Sequence, residues 1–445
     1  MIAAKLKHPG AGAKRSAAEA TFLWGVATSS YQIEGAVSND WTDWESRGKL
    51  KNPRERCGAA SLHRERWRDD YDLLPTVGAN AYRFSIEWSR IEPRRGEYDL
   101  AALELERDRV AKLRRLGIEP VVTLHHYTHP LWFWERGGWE EPGSVVDFQR
   151  LAATVGRALS PEVRIWVTLN EPIVFVLGGY MAGWTPPGKS SFASASRALE
   201  NLLRAHAAAS AELSAIDGAA RSGIAHNMLD FAPDREGSFA DRKLAAAAEA
   251  LYNRAILEGL ATGSVRWIFP GQGRTAFRIP VLPASSAFVG VNYYSRVHLR
   301  FRGLGPLAGA FFYRDPERRG LTEMGWEIHP RGMARLIREA AAVGVPVLVT
   351  ENGIATRNDA LRREFLREHA LVLAHLEASG VPLQGYFHWS LLDNFEWLEG
   401  FRPRFGLYEV DYASGARRRR PSADLFASLG RSFAGRGVLR DAPAG

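Results

Sequence analysis

The chain has 445 residues, of which 46% are hydrophobic and 24% are charged, a composition typical of a globular protein with a large core and not of a disordered one. The formal charge of +8 does not indicate a nucleic-acid-binding protein, because the lysines and arginines are scattered among 50 acidic residues. The single cysteine, Cys57, excludes an intramolecular disulfide and a thiolate metal cluster, and it fits a reducing compartment.

The first twenty residues carry basic side chains but no apolar run of the length that a signal peptide needs. We therefore predict a disordered leader at residues 1–20 and one domain at residues 21–445. No run approaches the roughly 20 apolar residues of a membrane helix. We expect a cytoplasmic protein with neither a membrane nor a nucleic-acid partner, and nothing in the sequence points to a protein partner.

Eight short runs rich in β-branched and aromatic residues predict strands that recur along the whole chain. In chain order these are Phe22 to Ala27, Ala81 to Ile86, Pro120 to Leu124, Ile165 to Asn170, Gly223 to Asn227, Phe288 to Asn292, Val347 to Glu351 and Gly385 to Trp389.

Longer segments with helical spacing lie between these runs. They include Leu100 to Leu116, Ala193 to Ile216, Asp241 to Leu260, Pro330 to Ala342 and Asp359 to Ser379. Gly117, Gly344 and Gly380 follow three of them, as helix stop signals do. Because no linker divides the chain, the alternation predicts a single α/β domain, a (β/α)8 TIM barrel. Its active site should lie at the carboxyl ends of the strands.

Two glutamates stand at the ends of predicted strands four and seven: Glu171 in Asn-Glu-Pro and Glu351 in Thr-Glu-Asn-Gly. Either one alone could equally be a satisfied polar residue at a strand end. Together they predict a paired acid and nucleophile, since carboxylates are seldom placed beside β-rich core segments without a function.

Further polar and aromatic residues cluster at the same ends of the predicted strands, as the barrel rule requires. They are Gln32, Arg83, His126, Asn170, Asn292, Tyr294, Trp389, Glu396 and Trp397.

Seven segments, in order, resemble those of the family 1 glycoside hydrolases, which include β-glucosidases and β-galactosidases. They are Phe22 to Gly35, Tyr82 to Ile91, Thr168 to Pro172, Gly290 to Tyr294, Gly325 to Pro330, Thr350 to Gly353 and Trp389 to Trp397. The resemblance extends from about Phe22 to about Leu429. One such segment could arise by chance, but seven in the family's order could not.

The resemblance implies hydrolysis with retention of anomeric configuration, without a metal or an organic cofactor. It makes Glu171 the general acid and base and Glu351 the nucleophile. Arg83 matches the arginine that contacts the nucleophile, and Asn292 and Tyr294 match groups that orient it.

The resemblance also implies a sugar site. Trp389 matches the family's stacking platform, and the positions that bind sugar hydroxyls are matched by Gln32, His126, Asn170, Glu396 and Trp397. Tyr180 and Trp184 match the entrance segment, where packing is an equally good explanation, so they stay outside the predicted site.

We therefore predict a β-glucosidase that acts on small β-glycosides or oligosaccharides, with possible activity on β-galactosides and β-fucosides. The alternatives are a 6-phospho-β-glycosidase, a transglycosylase and an inactive glycan-binding relative. Two departures bear on sugar and leaving-group preference: Tyr127 stands where the family more usually has Trp, and Asn39 to Trp44 replaces a longer segment.

Two other motifs invite a function that the sequence does not favour. The spacing of His125 and His129 would align two metal ligands on a helix, but Val121 to Leu124 and Pro130 make a helix improbable there, so we predict no metal site. Arg417 to Arg420 lies between a glycine and a proline and predicts a solvated loop.

Overall fold

The computed structural model describes residues 21–269, 271–303, 309–316 and 318–434. Within these residues eight parallel strands pair side by side, and the last pairs with the first, so that the sheet closes. The predicted (β/α)8 barrel is confirmed. The predicted leader at residues 1–20, and residues 435–445 of the predicted domain, lie outside the described residues.

The barrel strands follow one another around the ring in chain order. They are β1 (Leu23–Ala27), β2 (Ala81–Ser85), β3 (Glu119–His125), β4 (Ile165–Asn170), β5 (Arg221–Pro233), β6 (Phe288–Phe301), β7 (Val347–Asn352) and β8 (Leu383–Trp389). Parallel pairing, with Ala27 opposite Trp389 for example, brings all the carboxyl ends to one face of the barrel. Both faces of such a sheet are buried, which explains the nearly continuous apolar runs.

Long helices cover the outside of the barrel, and short ones follow the first four strands at the carboxyl face. The long helices are His63–Thr76, Leu100–Arg115, Gly143–Leu159, Phe192–Ile216, Phe239–Glu249, Ala255–Thr262, Pro330–Ala341, Asp359–Ala378 and Pro421–Ala434. The short ones are Ser30–Glu34, Asp40–Ser46, Trp88–Ile91, Leu131–Glu135 and Pro172–Val176. Among the described residues, none of the helices is both long and apolar enough to cross a bilayer.

The predicted helix stops have the geometry that the sequence indicates. Gly117, Gly344 and Gly380 have φ values of 71°, 95° and 74°. This left-handed conformation is open to glycine without the steric cost that a Cβ imposes. The helices before them therefore end within one residue of the predicted boundaries.

Apolar side chains fill two layers, one between the sheet and the helices and one inside the barrel. The outer layer contains large buried side chains such as Trp24, Trp88 and Trp166. The inner layer combines small residues such as Ala81 and Val121 with aromatic ones such as Phe288 and Phe387. Towards the carboxyl ends the interior becomes polar, which is where the candidate site lies.

Two strands continue beyond the ring. β5 and β6 have 13 and 14 residues, whereas their predicted runs ended at Asn227 and Asn292. Past the ring they remain paired, and the strand Gly309–Phe312 adds to β6 in antiparallel register. We call residues 228–233, 293–301 and 309–312 the arm. Its apolar side chains, which include Leu229, Phe231, Val297 and Leu299, pack in a cluster of their own.

The helix predicted at Asp241 to Leu260 is interrupted. A π-helical turn at Ala250–Arg254 separates two α-helices. Within this turn the buried Asn253 side chain accepts from the Leu229 amide at 3.1 Å and donates to the Leu229 carbonyl at 2.8 Å. This contact with β5 accounts for the interruption of the helix. Helical periodicity in the sequence does not reveal it.

The solvated loop predicted at Arg417 to Arg420 is wrong. Residues Arg417–Arg419 form a strand that pairs with Tyr408–Val410. Arg417 donates to buried Asp70 at 2.7 Å, and Arg420 donates to buried Asp393 at 2.8 Å. Two of the four arginines thus supply partners for buried carboxylates, while Arg418 and Arg419 pair with the more exposed Glu409 and Asp424.

Candidate active site

Glu171 directly follows β4 in a left-handed backbone conformation, with φ of 48°. Its Oε1 accepts from the side-chain amides of Asn227 at 2.9 Å and Asn292 at 2.8 Å. The Tyr127 hydroxyl, which comes from the segment after β3, donates to Oε2. A non-glycine residue in this conformation is costly and is typical of functional sites, so the turn that aims Glu171 inwards supports a catalytic role.

Glu351 lies in β7, also at the carboxyl face, and is 4% exposed. Its Oε1 accepts from the Arg83 guanidinium at 2.6 Å and its Oε2 from the Tyr294 hydroxyl at 2.7 Å. Burial raises the pKa of Glu351 to about 7, and the charge of Glu171 adds to the rise while Arg83 opposes it. The two glutamates thus interact electrostatically, and of the two only Glu351 has a cation within hydrogen-bond reach among the described residues.

Arg83 joins four barrel strands. From β2 its guanidinium donates to Thr123 on β3 at 3.1 Å, to Asn170 on β4 at 2.6 Å and to the Thr350 carbonyl on β7 at 3.0 Å. Because the fork of the guanidinium is planar and rigid, these contacts fix the ends of the strands relative to one another and to Glu351.

Asn292 contacts the other glutamate. The resemblance predicts that Asn292 orients Glu351, but its amide donates to Glu171 and, at 3.1 Å, to Asn170. The Asn292 oxygen accepts from the Thr350 hydroxyl at 2.6 Å, which turns the amide nitrogen towards β4. An orienting role of Asn292 towards Glu351 stays a prediction.

Gln32 and Glu396 meet at one end of the cavity. The Gln32 amide donates to Glu396 Oε2 at 3.2 Å and to the Phe395 carbonyl at 3.0 Å, and its oxygen accepts from Ser29. Burial, followed by the charges of Glu351 and Glu171, raises the pKa of Glu396 to about 8. Hydrogen-bond donors and acceptors therefore lie close together at this end of the cavity.

Aromatic rings form the rest of this end. His126 lies 6.0 Å from Trp389 and 6.1 Å from Trp397 between ring centroids, nearly parallel to both. Its Nε2 is 3.2 Å from the Asn170 amide. We call the region formed by Gln32, His126, Asn170, Trp389, Glu396 and Trp397 the polar end. The structure brings all six predicted sugar-binding residues together there.

The close approach of two backbones explains the glycine in the Glu-Asn-Gly motif. A Cβ on Gly353 would lie 1.8 Å from the Trp389 carbonyl oxygen. Only glycine allows the end of β7 to pass so near the end of β8. The glycine thus sets the position of the nucleophile candidate relative to Trp389.

Both glutamates line a cavity of about 810 Å³ whose second end has a different character. We call it the apolar end. Its wall is formed by residues that follow β4, by the arm and by the π-helical turn. The apolar side chains of this wall are Val174, Leu177, Met181, Leu229, Phe231, Leu251, Val297, Leu299 and Phe311. Trp184 lines this end and is 62% exposed, whereas Tyr180 is buried in the core.

His125 at the end of β3 bonds to His129, which follows the strand and bonds to an acid. The Nε2 atoms of His125 and His129 are 2.8 Å apart, and His129 Nδ1 is 2.9 Å from Asp40. Burial lowers the pKa of both imidazoles. Among the described residues no group of three or more His, Cys, Asp and Glu side chains could hold a metal ion. That the protein needs no metal or cofactor stays a prediction.

Sequence reasoning missed Asn227 and the contact of Tyr127. Asn227 is the last residue of predicted strand five and follows the general rule that polar residues at strand ends face the site. Tyr127 was recognised as a departure from the family, but no pattern in the sequence indicates that its hydroxyl reaches Glu171.

The sequence profile described as Glycosyl hydrolase family 1 matches residues 15–433. The chain belongs to glycosyl hydrolase family 1. It is 33% identical to Beta-glucosidase A of Thermotoga maritima over 89% of this chain and 94% of the relative. It is also 30% identical to a Beta-galactosidase of Pyrococcus woesei over 92% of this chain and 96% of the relative. The protein is therefore a family 1 β-glycosidase.

Solved structures agree with this assignment. The β-glycosidase from Pyrococcus horikoshii superposes with a TM-score of 0.85 at 38% identity, over 93% of this chain and 94% of that one. The β-glucosidase from Thermotoga maritima in complex with glucoimidazole gives a TM-score of 0.83 at 30% identity, over 93% and 98% of the two chains. These structures share with this protein the (β/α)8 barrel found above.

Proposed function

We propose that this family 1 enzyme is a retaining β-glucosidase that also accepts β-galactosides and β-fucosides. The observation that carries the proposal is the pair of buried carboxyls in one cavity with different partners. Arg83 holds Glu351, while neutral donors surround Glu171. The names of relatives, which include both β-glucosidase and β-galactosidase, support the range of sugars.

In the first step Glu351 attacks the anomeric carbon while Glu171 protonates the departing oxygen. The C–O bond to the leaving group breaks, the bond to Glu351 forms, and the proton passes from Glu171 to the leaving group. Retaining enzymes need the two carboxyls about 5 to 5.5 Å apart for this displacement. Arg83 stabilises the ionised nucleophile through its hydrogen bond to Glu351 Oε1.

In the second step water attacks the anomeric carbon of the glycosyl-enzyme. Glu171, now a carboxylate, takes the proton of the water, and Glu351 leaves. Because Glu351 is an ester in the glycosyl-enzyme, it places no negative charge beside Glu171 while Glu171 acts as the base. The same residue thus serves both steps without a further titrating group.

The polar end suits a neutral sugar. Gln32, Asn170 and Glu396 offer donors and acceptors for hydroxyl groups, and Trp389 offers a face for the C–H edge of a pyranose. One axial hydroxyl changes only a couple of hydrogen bonds, which is why glucose, galactose and fucose are proposed together. A 6-phospho-sugar is disfavoured, because none of the described residues that line the cavity is a lysine or an arginine that could pair with its phosphate.

The apolar end suits an aryl or alkyl leaving group. Its wall is mainly hydrocarbon, with Thr185, Gln272 and Tyr313 among the polar side chains that also line the cavity. A second sugar would need partners for several hydroxyls. An alcohol bound at the same place could replace water in the second step, so transfer to an alcohol is the second candidate reaction. Product analysis with added butanol separates alkyl glucoside from free glucose.

Initial rates of nitrophenol release test the proposal. The panel is the 4-nitrophenyl β-D-glucoside, β-D-galactoside, β-D-fucoside and 6-phospho-β-D-glucoside, with Glu351→Gln as the blank. We expect release from the three neutral sugars by the unchanged protein alone. Release from only the phosphorylated sugar would favour a 6-phospho-β-glycosidase, and release from none would favour a binding protein.

A further inference from the structure

Tyr127 is the one departure in the site that touches a reacting group. Its backbone is left-handed, with φ of 73°, like that of Glu171 opposite. The ring is nearly parallel to Phe175 at 6.4 Å and meets Trp397 edge-on at 5.1 Å. Two costly backbone conformations and two ring contacts thus fix the Tyr127 hydroxyl against Glu171 Oε2.

The other oxygen of Glu171 cannot carry the acidic proton. The Tyr252 hydroxyl donates to Asn227 Oδ1 at 2.7 Å, so the nitrogen of that amide faces Glu171. The contact of the Thr350 hydroxyl with the Asn292 oxygen orients the second amide in the same way. Oε1 therefore accepts from two N–H groups, which occupy both of its lone pairs.

We propose that Tyr127 is a positioning residue for proton transfer, which places the transferable proton on Glu171 Oε2 and stabilises the carboxylate that remains after transfer. The inference rests on the proposed role of Glu171 as acid and base. One lone pair of Oε2 accepts from the Tyr127 hydroxyl, which leaves the other available to the cavity that Glu171 lines.

Each half of the reaction uses this arrangement. In the first, the Oε2–H bond breaks as the proton moves to the departing oxygen, and the hydroxyl of Tyr127 donates to the new carboxylate. In the second, Oε2 takes a proton from water while the same donation moderates its basicity. Burial and the charge of Glu171 hold the pKa of Tyr127 well above its usual range, so the phenol remains a donor.

Other charged and titratable groups face this pair from the surrounding elements and remain in place when Tyr127 is changed. They are Arg83 on β2, His126 after β3, Tyr252 on the π-helical turn, Tyr294 on β6, Glu351 on β7 and Glu396 after β8. The pH profile of the unchanged protein, and that of a Tyr127 variant, each depends on all of these groups together. Only the difference between the two profiles reports the contribution of Tyr127.

The test is Tyr127→Phe, which removes one hydroxyl and keeps the ring. Without the donor the carboxylate of Glu171 is less stable, so the alkaline limb of kcat/KM should move up by about one pH unit. Glu171 is then also a weaker acid. We expect kcat/KM to fall about tenfold for octyl β-D-glucoside and to stay within about twofold for the 2,4-dinitrophenyl glucoside, whose leaving group needs little protonation.

A second variant should shift the alkaline limb in the opposite direction without removing any side-chain volume. Replacing Tyr127 by 3-fluorotyrosine gives a more acidic phenol and a stronger donor, so the alkaline limb should move down by about half a unit. Tyr98→Phe is the matched control: it removes a hydroxyl that accepts from Arg150 outside the cavity, and both readouts should equal those of the unchanged protein.

An alkaline limb that is the same in all four proteins would overturn the inference. The inference would also fail if Tyr127→Phe lost kcat/KM equally on both substrates and had a lower midpoint of thermal unfolding, because Tyr127 would then have a packing role only. Glu171→Ala separates this from failure of the proposed function. If that variant loses both substrates equally, the acid and base assignment fails; if it spares the dinitrophenyl substrate while Tyr127→Phe matches the unchanged protein, only the role of Tyr127 fails.

Discussion

The polar and apolar ends of one cavity are built in different ways. Six residues from the ends of β1, β3, β4 and β8 form the polar end, and side chains from neighbouring strand ends bond to one another there, as Gln32 does with Glu396. The apolar end comes chiefly from the arm and from the segment after β4. Recognition of the sugar therefore depends on closure of the whole barrel, whereas recognition of the leaving group depends on two local additions to it.

The two ends also stabilise a ligand by different forces. At the polar end a sugar must exchange its hydrogen bonds with water for bonds to side chains that already have partners, so affinity depends on geometry. At the apolar end binding grows with the apolar area removed from water and is tolerant of shape. We therefore expect strict selection at one end of the cavity and broad selection at the other.

Glu171→Ala should give the largest difference between leaving groups. It removes the proton donor, so octyl β-D-glucoside should lose at least about a thousandfold in kcat/KM, while the 2,4-dinitrophenyl glucoside should lose about tenfold or less in the first step. Steady-state rates with both substrates, and recovery of turnover on addition of azide, check this. Equal losses would mean that Glu171 acts on the sugar and not on the leaving group.

Gln32→Leu tests the polar end. The change keeps most of the volume but removes a donor and an acceptor and leaves Glu396 without its amide partner. We expect kcat/KM to fall about a hundredfold with every leaving group, since one or two buried hydrogen bonds are lost. The measurement is kcat/KM for methyl, octyl and nitrophenyl glucosides. A loss confined to one leaving group would contradict the division between the ends.

Leu299→Asn tests the apolar end with a smaller effect. Leu299 is 8% exposed and lies on the arm, and asparagine has a similar shape but needs hydrogen bonds. We expect about a five- to tenfold loss in kcat/KM for octyl glucoside and little change for methyl glucoside. Leu371→Asn, at a position 57% exposed on a covering helix, is the control. If methyl glucoside suffers as much as octyl glucoside, the arm does not bind the leaving group.

Glu396→Gln should have the smallest effect, and it concerns stability. Burial raises the pKa of Glu396 from 4.5 to about 8, so the folded protein binds a proton that the unfolded chain has released. Stability contributed by this group is therefore lost as pH rises from about 4.5 to about 8. We expect the variant to gain about 3 °C in unfolding midpoint over the unchanged protein at pH 8.5, and little at pH 4.5. A difference in unfolding midpoint between the two proteins that does not change with pH would contradict the raised pKa of Glu396.

Most of the barrel could be predicted from the sequence. Buried parallel strands correspond to short apolar runs in the sequence, and glycines such as Gly117 mark where helices end. The polar residues at strand ends were predictable for the same reason, because the topology of the barrel brings those ends together. Glu171 and Glu351, 180 residues apart in sequence, could be paired by this rule alone.

The remainder depends on contacts that periodicity does not encode. The extension of β5 beyond Asn227 is stabilised by Asn253, a residue predicted to continue a helix. The contact of Asn292 with Glu171 depends on which way Thr350 turns the amide. Such side-chain orientations follow from the three-dimensional packing of neighbours and leave no local signal in the sequence.

The bonds of Arg83 also bear on the order of folding. Its partners Thr123, Asn170 and Glu351 lie 40, 87 and 268 residues away along the chain. Contacts this distant in sequence form late, because the entropy of closing the intervening loops must be overcome first. Enzyme activity therefore reports closure of the ring, and during refolding it should return after the helical signal does.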